Sequence, residues 1–279
     1  MKNFIIENSK YGKRLILCSK LTEEVVRYCI QNDIKELELN WAKGFKSDDL
    51  ALLKDLSQLE AFDICDYTIK DISGIGSLRN LKELNISTYC KTQIDLSNFT
   101  QLESLSLFWR KNTIGFEKLK NLRKLFLYKY NPITKDLSEL AALDSLEYLS
   151  LKSPSIESIG NVTSLKQNLK FLGIYAATKL QNIDSLAELT NLQTLELDTC
   201  KKINQLDAIG KMKSLEKLSI SNCGSIESLE PVSKLMNLNE LRFIESTNII
   251  DGNINIVSSL PKLEKIVFQN RRHYNLKRA

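Results

Sequence analysis

Between Leu180 and Phe243 the apolar residues recur every third position, then once at spacing two. The unit restarts after 23 residues, at Leu195, Leu218 and Leu241. A fixed period of this size marks a repeat architecture. Spacing two is a strand that buries alternate side chains, and spacing three suits a 3₁₀-like or extended return with one face inward. Each unit is therefore a short strand plus a return, and none can bury its apolar side alone.

The same unit can be followed along most of the chain. Its first strand residue falls at Leu37, Phe62, Leu84, Leu105, Leu125, Leu149, Leu172, Leu195, Leu218, Leu241 and Ile266, which predicts about eleven parallel strands. Two units between Leu84 and Leu125 are short and need tighter returns. One unit carries an extra residue before Leu169, and a bulge is expected at Gln167 and Asn168. Residues 1–33 do not repeat and read as a cap. Phe4–Ile6 and Arg14–Leu17 suggest two strands, and Thr22 followed by Glu23 and Glu24 suggests the start of a helix. The array then occupies 34–268. The tail, 269–279, gains Arg271, Arg272, His273, Lys277 and Arg278; it is expected to be a frayed polar cap, the other reading being an arm for an anionic partner.

Leu189, Leu192, Leu195, Leu197 and Cys200 form the pattern L-x-x-L-x-L-x-x-C, and Met212, Leu215, Leu218, Ile220 and Cys223 repeat it. This resembles the leucine-rich repeat, and the period resembles its short-repeat, internalin-like class. The resemblance implies an α/β solenoid: a curved, right-handed array with its strands on the concave face, irregular or 3₁₀ returns and an N-terminal α/β cap. It also implies a buried asparagine or cysteine five residues after each first strand leucine, bonding adjacent turns. Here those positions hold Ala42, Tyr67, Tyr89, Arg110, Tyr130, Pro154, Ala177, Cys200, Cys223, Ser246 and Arg271. Only the two cysteines conform. Tyrosine hydroxyls or water are expected to serve some of the remaining turns, whose backbone groups still need partners.

Chemistry is absent from the pattern. The single histidine, His273, lies in the tail, away from any serine or cysteine that the core could hold beside it. Gly74-Ile75-Gly76 falls in a return and not between a strand and a helix, so it is no phosphate cradle. Carboxylates such as Glu196 and Asp198 alternate outward and read as a solvated face. No enzyme, cofactor or metal is expected. The start of the chain lacks the apolar core of a signal peptide and no run is long enough to span a bilayer, so the six cysteines read as reduced thiols of a cytoplasmic protein, Cys200 and Cys223 being buried ladder thiols.

Alternation also identifies the outward residues of each strand. Most are small or charged, but the four central strands present Phe108, Phe126, Tyr128, Tyr148, Phe171 and Tyr175. Cations accompany them, among them Arg110, Lys124 and Lys152; from Phe108 to Lys135 there are eight Lys or Arg against one acid, Glu117. Trp109 falls where the strand turns inward and reads as a rim or core residue. Contiguous outward aromatics usually mark an interaction site, although they are also good strand formers and could be covered by the tail or a second copy. A protein partner held on the concave face is the leading reading, with an inhibitor or immunity-type role as its narrower form. The alternative is an anionic polymer, nucleic acid or glycan, bound by the same patch.

Overall fold

The computed structural model describes residues 3–160, 162 and 164–277; Met1, Lys2, Asn161, Thr163, Arg278 and Ala279 lie outside the described residues. The chain divides into two compact units, 1–128 and 129–279.

In the first unit, β1 (Phe4–Ser9) and β2 (Gly12–Leu17) form an antiparallel hairpin. Helix α1 (Glu23–Gln31) follows, its first turn capped by the Thr22 hydroxyl, which accepts from Val25 N at 3.4 Å. Strand β2 lies parallel to β3 (Ile34–Asn40), and β4 (Ala61–Cys65), β5 (Glu83–Ser87), β6 (Ser104–Phe108) and β7 (Lys124–Tyr128) add in chain order, all parallel. The second unit stacks β8 (Tyr148–Lys152), β9 (Phe171–Tyr175), β10 (Thr194–Asp198), β11 (Lys217–Ser221), β12 (Glu240–Ile244) and β13 (Lys265–Phe268) in the same way. Pairing joins residues one repeat apart, so Leu172, Leu195, Leu218 and Leu241 fall in register and are at most 1% exposed.

The returns show why apolar residues recur every third position. Leu186, Leu189 and Leu192 each donate N–H to the carbonyl three residues earlier, at 2.9, 3.0 and 3.1 Å. Overlapping bonds of this kind eclipse side chains at spacing three, and all three leucines are buried. Where the extra residue falls, Leu169 N instead reaches Leu165 O, four residues back, at 3.0 Å. The insertion is thus absorbed by one wider turn of the return, and β9 keeps its register. In the short repeats, Ile94–Asp95 and Thr113–Ile114 pair in parallel and draw the returns together. Gly115 follows with φ +87°, and a Cβ there would lie 2.5 Å from Ser97 N, so this closeness depends on glycine.

An asparagine ladder does exist, at a different place from the one expected. Asn80, Asn121, Asn168, Asn191 and Asn237 each precede the last leucine of a return. Each Nδ2 donates to the carbonyl one repeat earlier, on Ser57, Thr100, Asp144, Gln167 and Lys213, at 2.8–3.0 Å. Asx turns open the returns: Asp71, Asp95 and Asp136 each accept the N–H two residues on at 2.9 Å.

The turn leaving each strand determines which side chain faces inward. Lys129, Ala176, Thr199 and Asn222 adopt left-handed φ of 52–58°, and the residues that follow them, Tyr130, Ala177, Cys200 and Cys223, are wholly buried. Strand alternation alone would bury the earlier residue, and the left-handed step passes that role one position on. After β4, β5 and β8 no such step occurs, and Asp66, Thr88 and Ser153 are the buried residues. The expectation for the tyrosines therefore needs correction. Tyr130 turns in and donates to Asp136 O at 3.1 Å, but Tyr67 and Tyr89 are 41% and 56% exposed. Cys200 and Cys223 are free, buried thiols whose sulfurs donate to Ile174 O and Leu197 O at 3.7 and 3.5 Å.

The tail is docked, which overturns the frayed reading as far as Lys277. Tyr274, only 3% exposed, packs edge-on to Phe243 and Phe268, and its hydroxyl accepts Ile249 N at 2.9 Å. Arg271 spans back to Glu245 O and Thr247 O at 3.0 Å. Both contacts close the exposed end of the last repeat.

Three outcomes follow from this construction. Leu195→Ala should cost about 2–5 kcal/mol in urea unfolding, and Asn191→Ala only about 0.5–1.5, because water can replace its exposed bond; the reverse order would contradict the assigned register. Tyr274→Ala should cost about 3–5 kcal/mol, as for other buried rings, whereas a frayed tail would lose nothing. Ser73 N–H and hydroxyl hold the Asp71 carboxyl below its ordinary range, and the Ser97 hydroxyl and N–H do the same for Asp95. Carboxyls lowered by folding add stability that is present above their unfolded pKa and is lost as pH falls through the folded one. Between about pH 5 and pH 2, the Asp71→Asn, Asp95→Asn double variant should therefore lose less melting temperature than the parent.

Candidate docking surface

A row of rings runs along the C-terminal ends of the strands in the first unit. Phe108 and Tyr128 are the last residues of β6 and β7, and Trp41, Tyr67 and Tyr89 lie just beyond β3, β4 and β5. Neighbouring rings touch in sequence. Trp41 lies 6.4 Å from Tyr67, Tyr67 4.9 Å from Tyr89, Tyr89 5.5 Å from Phe108, and Phe108 5.5 Å edge-on from Tyr128. Trp41 is 53% exposed, and Tyr67, Tyr89 and Tyr128 are exposed to a comparable degree. Sequence alternation identified only Phe108 and Tyr128 here. The other three were missed because they fall past the strands, in turns whose direction depends on φ. Asp66 held a usable clue: it accepts Thr68 N, Thr68 Oγ1 and Ile69 N, so it fills the inward place and sends Tyr67 out.

Lys124 is exposed on β7 and Phe126 is half-buried. Phe126 borders a depression with Arg14, Asp63, Glu83, Asn85 and Ser106. Carboxylates on this face are not all solvated as expected. Burial raises Asp63, despite an Asn85 amide donating at 3.1 Å. Glu38 is 4% exposed between Arg14 and Lys43, and although burial opposes its charge, those cations hold its carboxyl below the ordinary range. Trp109, expected at the rim or core, stacks on Phe116 at 5.9 Å.

Arg110 is placed differently from the other candidates. It is 9% exposed, with Nε on Cys90 O at 2.9 Å and Nη2 on Thr88 O at 3.0 Å. The guanidinium reaches the turn of the preceding repeat and satisfies its carbonyls, as Arg271 does at the other end of the chain. Long side chains thus replace the short amide expected at this position, and Arg110 serves the fold instead of presenting its charge on the patch.

In the second unit, Tyr148 and Phe171 stack face to face, centroids 4.0 Å apart and planes 1° from parallel. Tyr175 folds back over Gly173, where a Cβ would meet its hydroxyl at 2.6 Å, and donates to Glu196. Burial, then that carboxylate, raises the phenol. Lys152 is exposed beside Tyr175 in the strand register.

No protein-family model matches the sequence, and no curated protein does. Solved structures resemble it closely in fold. An internalin of Listeria monocytogenes superposes with a TM-score of 0.62 at 20% identity, over 93% of this chain and 83% of that one. A leucine-rich-repeat protein of Leptospira interrogans gives 0.59 at 18%, over 88% and 70%. The functional domain of InlJ from Listeria monocytogenes, which includes a cysteine ladder, gives 0.55 at 19%, over 92% and 58%. The fold is the leucine-rich-repeat fold of internalins. Among the described residues no helix of this leucine-rich-repeat chain is long and apolar enough to cross a membrane. Nor does any group of three His, Cys, Asp or Glu among them suit a metal ion.

The two kinds of site residue should separate in a melting experiment. Arg110→Ala strands two carbonyls of the preceding turn, at about 1–3 kcal/mol for each left unsatisfied. Tyr89→Ala removes ring contacts worth about 0.5–1.5 kcal/mol. Equal losses would mean that the row is structural.

Proposed function

We propose that the chain is a non-enzymatic protein-interaction module that holds its partner on the strand side, with the ring row Trp41, Tyr67, Tyr89, Phe108 and Tyr128 as the anchor in the first unit. The supporting observation is that these rings contact one another while four of them stay 41–56% exposed. The repeat core requires none of them, and exposed aromatics of this density are what interface anchors use. Lys124 and Phe126 extend the contact below the row, and Tyr148, Lys152, Phe171 and Tyr175 supply a smaller one in the second unit. Exposed ring edges carry positive potential, and Phe108 to Lys135 is strongly basic, so the matching surface is apolar with an acidic rim. An inhibitor or immunity-type role is the narrower form and rests on fold analogy. Six free thiols favour a reducing, cytoplasmic setting.

Nucleic acid and glycan are the weaker reading. Tyr67, Tyr89 and Phe108 stack on one another within 29° of parallel. Part of their ring face is thereby covered, whereas base stacking needs open faces.

Immobilised protein and its Tyr89→Ala variant can be compared for what they retain from a lysate of the source cells. The variant should bind the retained protein about thirtyfold more weakly, a loss of about 2 kcal/mol, with Met236→Ala, at a residue 56% exposed in the second unit, as the unaffected control. Glu38 is unsuited as a control, since removing it would strand Arg14 and Lys43. Retention of nucleic acid or glycan that falls steeply with salt would overturn the protein-partner reading.

A further inference from the structure

Arg110 is a buried cation whose only bonded partners are carbonyls, a hydroxyl and a thiol; among the described residues it has no ion pair. Its Nη1 is buried with no hydrogen-bond partner among the described residues. Burying an uncompensated charge is costly, and burial lowers the guanidinium from its ordinary value. Docking of a protein on the ring row does not use this group. The question is which anion it could serve.

Cys90 is the adjacent candidate. It is a free, half-buried cysteine, and its sulfur lies 3.8 Å from Arg110 Nη2 and 3.4 Å from Thr88 Oγ1. Thr88 Oγ1 also accepts from Arg110 Nη2, and its own hydroxyl hydrogen is free to turn toward the sulfur. A cation that donates toward the sulfur and a hydroxyl bonded to it thus sit side by side at Cys90. Among the described residues no cation bonds the other half-buried thiols: Cys18 donates to Ile16 O at 3.7 Å, and Cys65 to the Tyr67 hydroxyl at 3.8 Å.

We propose that Cys90 is a reversible modification site that forms a mixed disulfide with a small, anionic disulfide, using Arg110 and Thr88 as its activating donors. The Cys90 thiolate attacks one sulfur of the small disulfide. The new S–S bond forms as the old one breaks, and the displaced half leaves as a thiolate that takes up the proton Cys90 gave to water. Oxidation state is conserved between the two disulfides, so no further oxidant enters. Arg110 Nη1, one guanidinium carbon from the donor already on the sulfur, is the group that favours an incoming carboxylate. The arrangement stands on three residues outside the ring row, Thr88, Cys90 and Arg110, so it holds or fails independently of the docking reading.

The test is site-resolved labelling of the folded protein by dithio-bis-nitrobenzoate, which is anionic, and by dithiodipyridine, which is neutral, with each cysteine followed by peptide mass spectrometry. Cys90 should react with the anionic reagent at least about tenfold faster than Cys18 or Cys65, and Thr88→Val should slow it several-fold while the buried Cys29, Cys200 and Cys223 stay unlabelled. Arg110→Met should abolish the preference for the anionic reagent. If that variant unfolds, seen as labelling of buried Cys29, Cys200 and Cys223, the Thr88→Val comparison decides alone. Reaction of Cys90 no faster than Cys18 and Cys65, or a Thr88→Val protein that reacts like the parent, would overturn the proposal.

Discussion

The repeats of each unit depend on in-register parallel stacking between consecutive turns. A single strand-and-return unit has one apolar side and a full set of backbone donors and acceptors on each flank, so it is stable only against a copy of itself. Leu195 is buried because Leu172 and Leu218 lie above and below it at the same register. The constraint extends to the loops. Asn191 can reach Gln167 O only because the return rises by one repeat without slipping. Gly115 and the wide turn at Leu165 to Leu169 keep that rise constant where the repeat is short or long.

The ends of a stack face the same requirement without a neighbour. At the start, the hairpin β1–β2 and helix α1 supply a parallel partner strand and an apolar face with Val25, Val26 and Cys29. At the finish, Tyr274 closes over Phe243 and Phe268, and Arg271 and His273 take the open carbonyls of Glu245, Thr247 and Ile249. The histidine that looked stranded in a basic tail is there to satisfy a backbone oxygen.

Between the ends, the turns after the strands carry most of the individuality. The backbone of each needs partners, and this chain uses thiols, hydroxyls and two guanidiniums that reach the preceding repeat, and a carboxylate, Asp66, that accepts from its own turn. The choice has consequences on the outside. An inward Asp66 or Thr88 displaces a tyrosine to the surface, and repetition of that displacement lines up the ring row. An inward Arg110 brings a charge beneath the row and next to Cys90. Surface chemistry in such a fold is thus partly a by-product of how its turns are closed.

Periods of three and two determined from the sequence alone that strands and returns alternate, which leucines are buried and that strands run parallel, because burial of alternate residues depends only on the local path of the chain. Outward positions within strands, such as Phe108, Tyr128, Tyr148 and Phe171, were legible for the same reason. The five asparagines before the return leucines were also written in the sequence as repeated Asn-Leu pairs, though their partners lie a whole repeat away. Only the tertiary structure decided the turns. At Tyr130, Ala177, Cys200 and Cys223 the inward place passes to the fifth residue after the first strand leucine through a left-handed φ just before it, and Lys129, Ala176 and Thr199 adopt it with nothing in their side chains to announce it. Asn222 alone is of a type that favours it. Stacking against the preceding turn selects that conformation at these four turns, whereas Arg110 turns inward without it and bonds the Thr88 and Cys90 carbonyls.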